Sequence, residues 1–236
     1  MKVFSEALAG LRRYVYGKKE YCREIDTRTA GRHWPEGGVK NIVMMEDTGV
    51  ELGNPREESF SFILCVEDPE GVRDGKVLIL GPDLGEGEGK SLPFGKVVIA
   101  AVNDSFKKKG YDFYRKLDFL KYNISLQGYM AKGLPRGRRE WLRIGREALG
   151  KGLTLEIVGR ALIDEFRKLK NIGPVEVLFV TSSGTDVQEL RNIMAEAVLV
   201  VEAARKMEEE ADYNCGDCDY KDVCSRMGGP LKIEKG

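Results

Sequence analysis

Apolar runs of strand length alternate with helix-length amphipathic segments in the second half of this 236-residue chain. This order restricts the fold to a sheet packed against helices. Residues 154–170 predict the clearest helix, which Thr154 caps and whose apolar face consists of Leu155, Val158, Leu162, Phe166 and Leu169. The sequence therefore predicts an α/β (α+β) fold, with a mixed sheet flanked by helices and a C-terminal cysteine-rich, cluster-binding turn.

Local patterns predict the order of the elements along the chain. Helices are expected at 2–16, 105–121 and 154–170, and a capping box at residues 185–188 predicts a long helix to about residue 211. Strands are expected at 42–45, 60–66, 77–80, 97–102, 140–144 and 175–180, with loops at 81–89 and 128–137. We divide the chain into an N-terminal helix and loop (1–40), an α/β domain (41–211) and a C-terminal iron–sulfur segment (212–236).

Three cysteines near the C-terminus, Cys215, Cys218 and Cys224, have the spacing C-x2-C-x5-C. Two thiolates three residues apart can hold one metal or one edge of a cluster, and a third can close on the same group. This set favours an iron–sulfur cluster, expected to be [4Fe-4S], and a zinc ion or a redox dithiol is the alternative. The fourth ligand could come from Cys22 or Cys65, or from water, a partner or a substrate.

Composition excludes several classes of function. The 38 basic and 38 acidic residues cancel, so no overall charge attracts nucleic acid. No apolar run approaches the roughly 20 residues that cross a bilayer, and the start of the chain lacks the pattern of a signal peptide. We therefore expect a cytoplasmic protein without membrane or nucleic-acid partners. With His33 as the only histidine, multi-histidine metal sites and histidine triads are excluded.

Several motifs follow one another through the middle of the chain: Val50-Glu-Leu-Gly-Asn-Pro55, Gly75-Lys-Val-Leu-Ile-Leu-Gly-Pro-Asp83, Leu92-Pro-Phe-Gly-Lys-Val-Val98, Leu126-Gln-Gly-Tyr-Met130 and Glu140-Trp-Leu-Arg-Ile144. This order resembles acetyl-CoA synthase, the β subunit of the CO dehydrogenase/acetyl-CoA synthase complex. The similarity covers roughly residues 50–229, the family's middle domain and the start of its cluster domain. In that family the first cluster cysteines follow the middle domain, where Cys215, Cys218 and Cys224 stand here.

The sequence also departs from that family. It contains no Cys-Gly-Cys to hold the distal nickel, no further cysteine after Cys224, and a shorter gap between the second and third cysteines. The N-terminal domain that contacts CO dehydrogenase is also missing from the match. The resemblance therefore implies a truncated relative, not a complete acetyl-CoA synthase. We expect an accessory iron–sulfur protein of the anaerobic acetyl-CoA (Wood–Ljungdahl) pathway, which serves a corrinoid or corrinoid protein by electron transfer or cofactor handling.

A basic strand offers a second candidate site. Alternation places Arg139, Trp141 and Arg143 on one face, with Leu142 and Ile144 on the core face. Guanidinium groups suit phosphates and tryptophan can stack on a flat ring, while the resemblance implies coenzyme A as the ligand. Tyr129 stands where the family has a tryptophan. The alternative is a solvated edge strand whose arginines pair with Glu140 and Glu147.

His33, in Arg32-His-Trp-Pro-Glu-Gly-Gly38, is either a structural or exposed histidine or an axial ligand to cobalt. The second interpretation makes the chain a cobamide carrier. Acetyl-CoA synthases receive a methyl group from a corrinoid iron–sulfur protein, so the resemblance implies that protein, or cobamide itself, as a partner.

A nuclease is the remaining alternative. The cysteine tail together with Cys22 also resembles the cluster of Cas4-like nucleases, which bind a divalent ion through acidic residues and a lysine. Pro82-Asp83 and Glu88-Gly-Lys90 fit that pattern formally, but they lie in one glycine-rich turn rather than on two strands. The neutral net charge also disfavours a DNA-binding surface.

Overall fold

The computed structural model describes residues 2–29, 33–37, 42–103, 105–134 and 137–209. The helices are α1 (Lys2–Gly17), α2 (Ser105–Leu120), α3 (Arg146–Gly150), α4 (Leu155–Arg167) and α5 (Gly184–Glu209). The strands are β1 (Cys22–Asp26), β2 (Thr48–Leu52), β3 (Ser59–Val66), β4 (Lys76–Leu80), β5 (Ser91–Leu92), β6 (Phe94–Val102), β7 (Tyr129–Leu134), β8 (Arg139–Gly145) and β9 (Ile172–Val180). The mixed α/β architecture confirms the predicted fold class.

A five-stranded mixed sheet in the order β1-β4-β9-β6-β3 forms the centre of the molecule. Strands β3 and β6 are buried along their whole length. Helices cover both faces, because successive strand residues point to opposite sides. Phe179 contacts α4 at Gly159, whereas Val180 packs beside Leu190 of α5. Burial on both faces explains why these strands are mostly apolar, with Ser59, Ser61 and Lys96 as the polar exceptions.

A second sheet of four strands, in the order β5-β2-β8-β7, joins the first through β3 and β8. The Ser61 N–H donates to the carbonyl of Arg138 at 2.7 Å. The Ser59 hydroxyl donates to the Glu140 carbonyl at 2.6 Å and accepts from the Glu140 N–H at 2.9 Å. One hydrophobic core runs through both sheets. These contacts fix β8 relative to the central sheet.

The turn that leads into β8 has an unusual backbone. Gly137 has φ 73°, and Arg138 follows with φ 50°, a left-handed value that is uncommon outside glycine. The Arg138 side chain donates to Glu202 of α5 at 3.0 Å and to the Tyr114 hydroxyl of α2 at 3.3 Å. Its guanidinium carbon also lies 5.1 Å from the centre of the Phe62 ring. Contacts on three elements therefore hold the strained residue in place.

Several predicted elements need correction. Residues 42–45 are not a strand, and Ile42, Met44 and Met45 are exposed while Val43 is buried. Strand β1 lies in the polar segment that we predicted as loop, and β7 occupies most of the loop predicted at 128–137. The capping box begins two residues earlier than predicted, because the Ser183 hydroxyl accepts the Asp186 N–H at 3.1 Å. Thr154 caps α4 as predicted.

No helix within the described ranges is both long enough and apolar enough to span a membrane. The predicted segment 212–236, with its cluster-binding turn, lies outside the residues that the structure describes. The division into three segments therefore stays a prediction.

Candidate functional site

The outward face of β8 carries three of the predicted site residues. Arg139, Trp141 and Arg143 are half-buried on this face, while Leu142 and Ile144 are fully buried on the other. The predicted alternation is confirmed. β8 lies between β2 and β7, so the alternative of an edge strand is wrong. An interior strand holds its side chains more firmly, since both of its edges are hydrogen-bonded.

Arg143 and Trp141 form a stacked pair on this face. The guanidinium carbon lies 4.5 Å from the ring centre, and the Arg143 Nε donates to Glu51 Oε1 on β2 at 2.7 Å. Arg139 donates to the carbonyls of Asn54 at 3.0 Å and Glu57 at 2.6 Å. The buried Trp141 Nε1 has no hydrogen-bond partner among the described residues. The face thus combines an aromatic plane, two fixed cations and a donor.

The predicted arginine pairs differ from those observed. Glu140 points into the core and bonds to Lys96, and Glu147 bonds to Lys151 at 2.6 Å. Neither carboxylate pairs with the β8 arginines, because strand alternation turns Glu140 away from them and Glu147 lies on α3.

The structure separates Tyr129 from this group. Its side chain is only 2% exposed, and it lies opposite Ile144 in the β7–β8 register, on the core side of the sheet. Burial, followed by the nearby Glu140 carboxylate, raises the pKa of Tyr129 well above its ordinary value. Tyr129 therefore packs on the core side of the sheet. The outward face consists of Arg139, Trp141 and Arg143.

His33 is exposed, whereas the neighbouring Trp34 is only 7% exposed. The Trp34 indole N–H donates to the Gln127 carbonyl at 3.0 Å, so the ring is part of the core. A cavity of about 390 Å³ beside His33 is lined by Glu36, Ser125, Arg160 and other residues. That volume is smaller than a cobamide, so such a cofactor would have to lie on the surface. Axial ligation by His33 stays a prediction.

The two cysteines within the described ranges occupy different surroundings. Cys22 is half-buried at the start of the edge strand β1, and burial raises its pKa. Cys65 is buried in β3, where desolvation and then the Asp118 carboxylate raise its pKa. Among the described residues, no group of three or more histidine, cysteine or acidic side chains is placed to hold a metal. Cys215, Cys218 and Cys224 lie outside those residues, so the predicted cluster is untested.

In the loop at residues 81–89, which the nuclease alternative would use, Asp83 has a structural role. Asp83 Oδ1 accepts the N–H groups of Leu84 at 2.7 Å and Leu155 at 2.8 Å, which anchors the loop to the start of α4. Glu86 faces Arg23 at 3.3 Å, while Glu88 and Lys90 are exposed. Because Asp83 is used by backbone donors, this loop gives the nuclease alternative no support.

A buried cluster of charges went unpredicted. Lys96 and Glu140 are both fully buried and their charged atoms lie 2.5 Å apart. Lys121 lies beside them, 2.8 Å from Asp118, and its carbonyl accepts from Lys96 at 3.2 Å. Desolvation lowers the pKa of Lys96, although Glu140 opposes the shift. A lysine inside the nine-residue apolar run of β6 was the available sequence signal.

Comparison with known proteins identifies the family to which the chain is similar. A family model described as CO dehydrogenase/acetyl-CoA synthase complex beta subunit matches residues 39–187, which include the whole four-stranded sheet. The acetyl-CoA decarbonylase/synthase complex subunit beta of Archaeoglobus fulgidus is 27% identical over 187 residues, which cover 73% of this chain and 33% of that protein.

Two further relatives belong to complexes with similar names. Subunit beta 2 of the same complex from Methanosarcina thermophila is 30% identical over 192 residues, or 75% of this chain and 37% of the relative. The carbon monoxide dehydrogenase/acetyl-CoA synthase subunit alpha of Moorella thermoacetica is 29% identical over 129 residues, which cover 52% of this chain and 16% of that protein. The chain thus spans about a third or less of the length of these relatives. Since the family model covers more than half of the sequence, the chain belongs to the CO dehydrogenase/acetyl-CoA synthase complex beta subunit family.

Proposed function

We propose that this protein is an accessory iron–sulfur protein of the acetyl-CoA pathway, whose four-stranded sheet binds coenzyme A on the outward face of β8. The observation that carries the proposal is the stacking of Arg143 on Trp141 in a member of this family. An aromatic plane beside fixed guanidinium groups suits a ligand that has both an adenine ring and phosphates.

The contacts of Arg143 leave its ligand-binding atoms available. Glu51 accepts the hydrogen bond from Nε, which orients the guanidinium group. No described residue accepts a hydrogen bond from the two terminal nitrogens of Arg143, so these can donate to a phosphate. Trp141 supplies the stacking surface. Arg139, tied to two carbonyls, adds positive charge and holds the end of β8.

The cysteine motif supplies the second part of the proposal. Cys215, Cys218 and Cys224 would hold a [4Fe-4S] cluster, which supplies one-electron transfer when bound. The protein would then pass electrons to, or hold, a corrinoid or a corrinoid protein. The family supports the pathway, and the three thiol donors support the cluster. The role that we propose for these residues is accessory, namely electron transfer or cofactor handling.

Coenzyme A binding to the full chain, followed by isothermal titration calorimetry, tests the β8 face. We expect Arg143→Ala to weaken binding about tenfold or more, because a charge-assisted hydrogen bond contributes roughly 1.5–3 kcal/mol. Trp141→Leu should weaken binding as well, while Trp34→Phe, which alters the other tryptophan, should not. Equal affinity in the wild type and in both β8 variants would remove coenzyme A from this face.

Anaerobic purification with iron and sulfide analysis tests the cluster. We expect about four irons and four sulfides per chain, and their loss in Cys218→Ser. A spectral shift on adding cobamide to the wild type, absent from His33→Ala, would support direct corrinoid ligation. Zinc without iron after anaerobic reconstitution would make the cysteines a structural site and remove electron transfer from the proposal.

A further inference from the structure

An apolar groove lies on the surface where α2 passes the end of α4. Phe113, Leu120 and Leu169 line a cavity of about 530 Å³, and the Phe119 side chain at its edge is 67% exposed. A large aromatic ring exposed next to an apolar groove is typical of a binding surface. None of the residues that line the groove belongs to the outward face of β8, so the proposed coenzyme A site does not use it.

The rim of this groove is positively charged. Arg115 and Lys116 are exposed and belong to the lining, and none of the described residues that line it carries a carboxylate. Lys168 and Lys170 flank Leu169 in sequence and are also exposed. Arg115 pairs with Asp112 and Lys168 with Glu165, so four cations against two carboxylates leave the rim with a net positive charge. A segment that fits this groove must therefore combine apolar or aromatic side chains with negative charge.

The chain itself contains such a segment immediately after α5. Residues 210–224 carry five acidic side chains against one lysine, and they include two tyrosines and a valine. The acidic positions are Glu210, Asp212, Asp217, Asp219 and Asp222. No described segment of the chain beside the groove offers this combination, so charge and composition select residues 210–224 as the occupant.

The position of α5 brings this segment within reach. Helix α2 packs against α5, and the charge of Arg205 on α5 acts on the Tyr111 hydroxyl of α2, whose pKa burial raises. From Tyr111 to Phe119 the helix rises about 12 Å. When extended, residues 210–213 span up to about 14 Å and residues 210–220 up to about 36 Å, so Tyr220 can reach the groove.

From this fit we infer that the acidic cysteine segment, residues 210–224, docks in the groove between α2 and the end of α4. The Tyr220 side chain would fill the apolar floor, and the carboxylates would face Arg115 and Lys116. The docking holds the cysteine motif against the α/β domain. This inference concerns a different surface from the proposed coenzyme A site. It does not depend on whether a cluster is bound.

Carbodiimide cross-linking of the full chain, purified anaerobically, tests this placement. The reagent joins a lysine to a carboxylate in direct contact. We expect peptides that link Lys116 to an acidic residue between 212 and 222, and none that link this segment to Lys90, an exposed lysine that does not line the groove. An equal mixture of isotope-labelled and unlabelled protein separates links within one chain from links between two copies.

Proteolysis of variants gives an independent measurement. We expect chymotrypsin to cleave after Tyr213 and Tyr220 about tenfold faster in Phe119→Ser and in Lys116→Glu, since loss of one buried aromatic contact is worth about that factor. Tyr21→Ser, which removes an exposed ring elsewhere, should leave the rate unchanged. Circular dichroism checks folding, and iron content measured in each sample separates loss of docking from loss of a cluster. Unchanged cleavage in both groove variants, or cross-links only between two copies, would overturn the inference.

Discussion

At the scale of single residues, the Lys96–Glu140 pair is the most consequential unpredicted contact. Both side chains are fully buried, and the pair ties β6 of the central sheet to β8 of the second sheet. Removing one partner leaves the other charge without compensation in the core. We therefore expect Lys96→Met to lower the free energy of unfolding, measured in urea, by about 3 kcal/mol.

The matched double variant distinguishes a lost pair from a lost charge. Lys96→Met combined with Glu140→Leu should recover most of the stability, because neither charge is then buried. Glu147→Gln, which removes one partner of a solvated pair on α3, should change little. A single variant as stable as the wild type would mean that the pair does not hold the two sheets together.

At the scale of elements, Asp186 connects the start of α5 to α1. Burial raises the pKa of Asp186, but hydrogen bonds from Lys18, Ser182 and Ser183 outweigh that effect and hold it below the ordinary value of 3.8. A carboxyl group whose pKa is lower in the folded state stabilises the fold at any pH above its pKa in the unfolded state. This contribution is lost as the pH falls through the pKa of the folded state. We expect stability to fall as the pH drops below about 4.

Urea unfolding between about pH 5 and pH 2.5 measures this contribution. In Asp186→Asn the acid-induced loss should be smaller than in the wild type, because there is no carboxylate to protonate. Asp164→Asn, which removes an exposed carboxyl group, should follow the wild-type curve. If the Asp186→Asn and wild-type curves run parallel through this range, Asp186 does not stabilise the fold through its charge.

The length of α5 limits which cysteines can share one cluster. Lys18 pairs with Asp186 at the start of α5 and precedes Cys22 by four residues, so Cys22 lies near that end of the helix. From Asp186 to Glu209 the helix rises about 35 Å. The six residues up to Cys215 span at most about 21 Å. We therefore expect Cys22→Ser to keep its iron, measured by metal analysis after anaerobic reconstitution, and its loss would show that Cys22 is a ligand.

At the scale of the whole molecule, the shared core predicts one cooperative unfolding transition. Both tryptophans lie at the four-stranded sheet, Trp141 on β8 and Trp34 bonded to Gln127. Tryptophan fluorescence should therefore report on that sheet, while far-ultraviolet circular dichroism reports on all elements. We expect the two transitions to coincide in urea, since the sheets share hydrogen bonds and one core. Separate midpoints would show that the second sheet unfolds on its own.

Local patterns predicted the elements that their own sequences specify. The apolar runs of β3, β4 and β9 and the amphipathic face of α4 were sufficient to locate them. Strands β1 and β7 were missed because Cys-Arg-Glu-Ile-Asp and Tyr-Met-Ala-Lys-Gly-Leu contain polar residues and depend on pairing with distant strands. The alternation along β8 predicted its face correctly. Its partner Glu51 is 92 residues away, and no local pattern indicates a contact over that separation.

The turn at Gly137 and Arg138 also determines where this protein can accept extra residues. The Arg138 carbonyl, guanidinium group and left-handed backbone are matched to β3, α2 and α5 at the same time. One inserted residue would displace all of these contacts and shift the register of β8, turning Trp141 inward. The exposed turn at residues 67–70 is held by hydrogen bonds local to that turn, from the Glu70 N–H to Asp68 and from the Val72 N–H to the Pro69 carbonyl. A library of single-residue insertions should therefore yield folded proteins at residues 67–70 and none between Gly137 and Arg139.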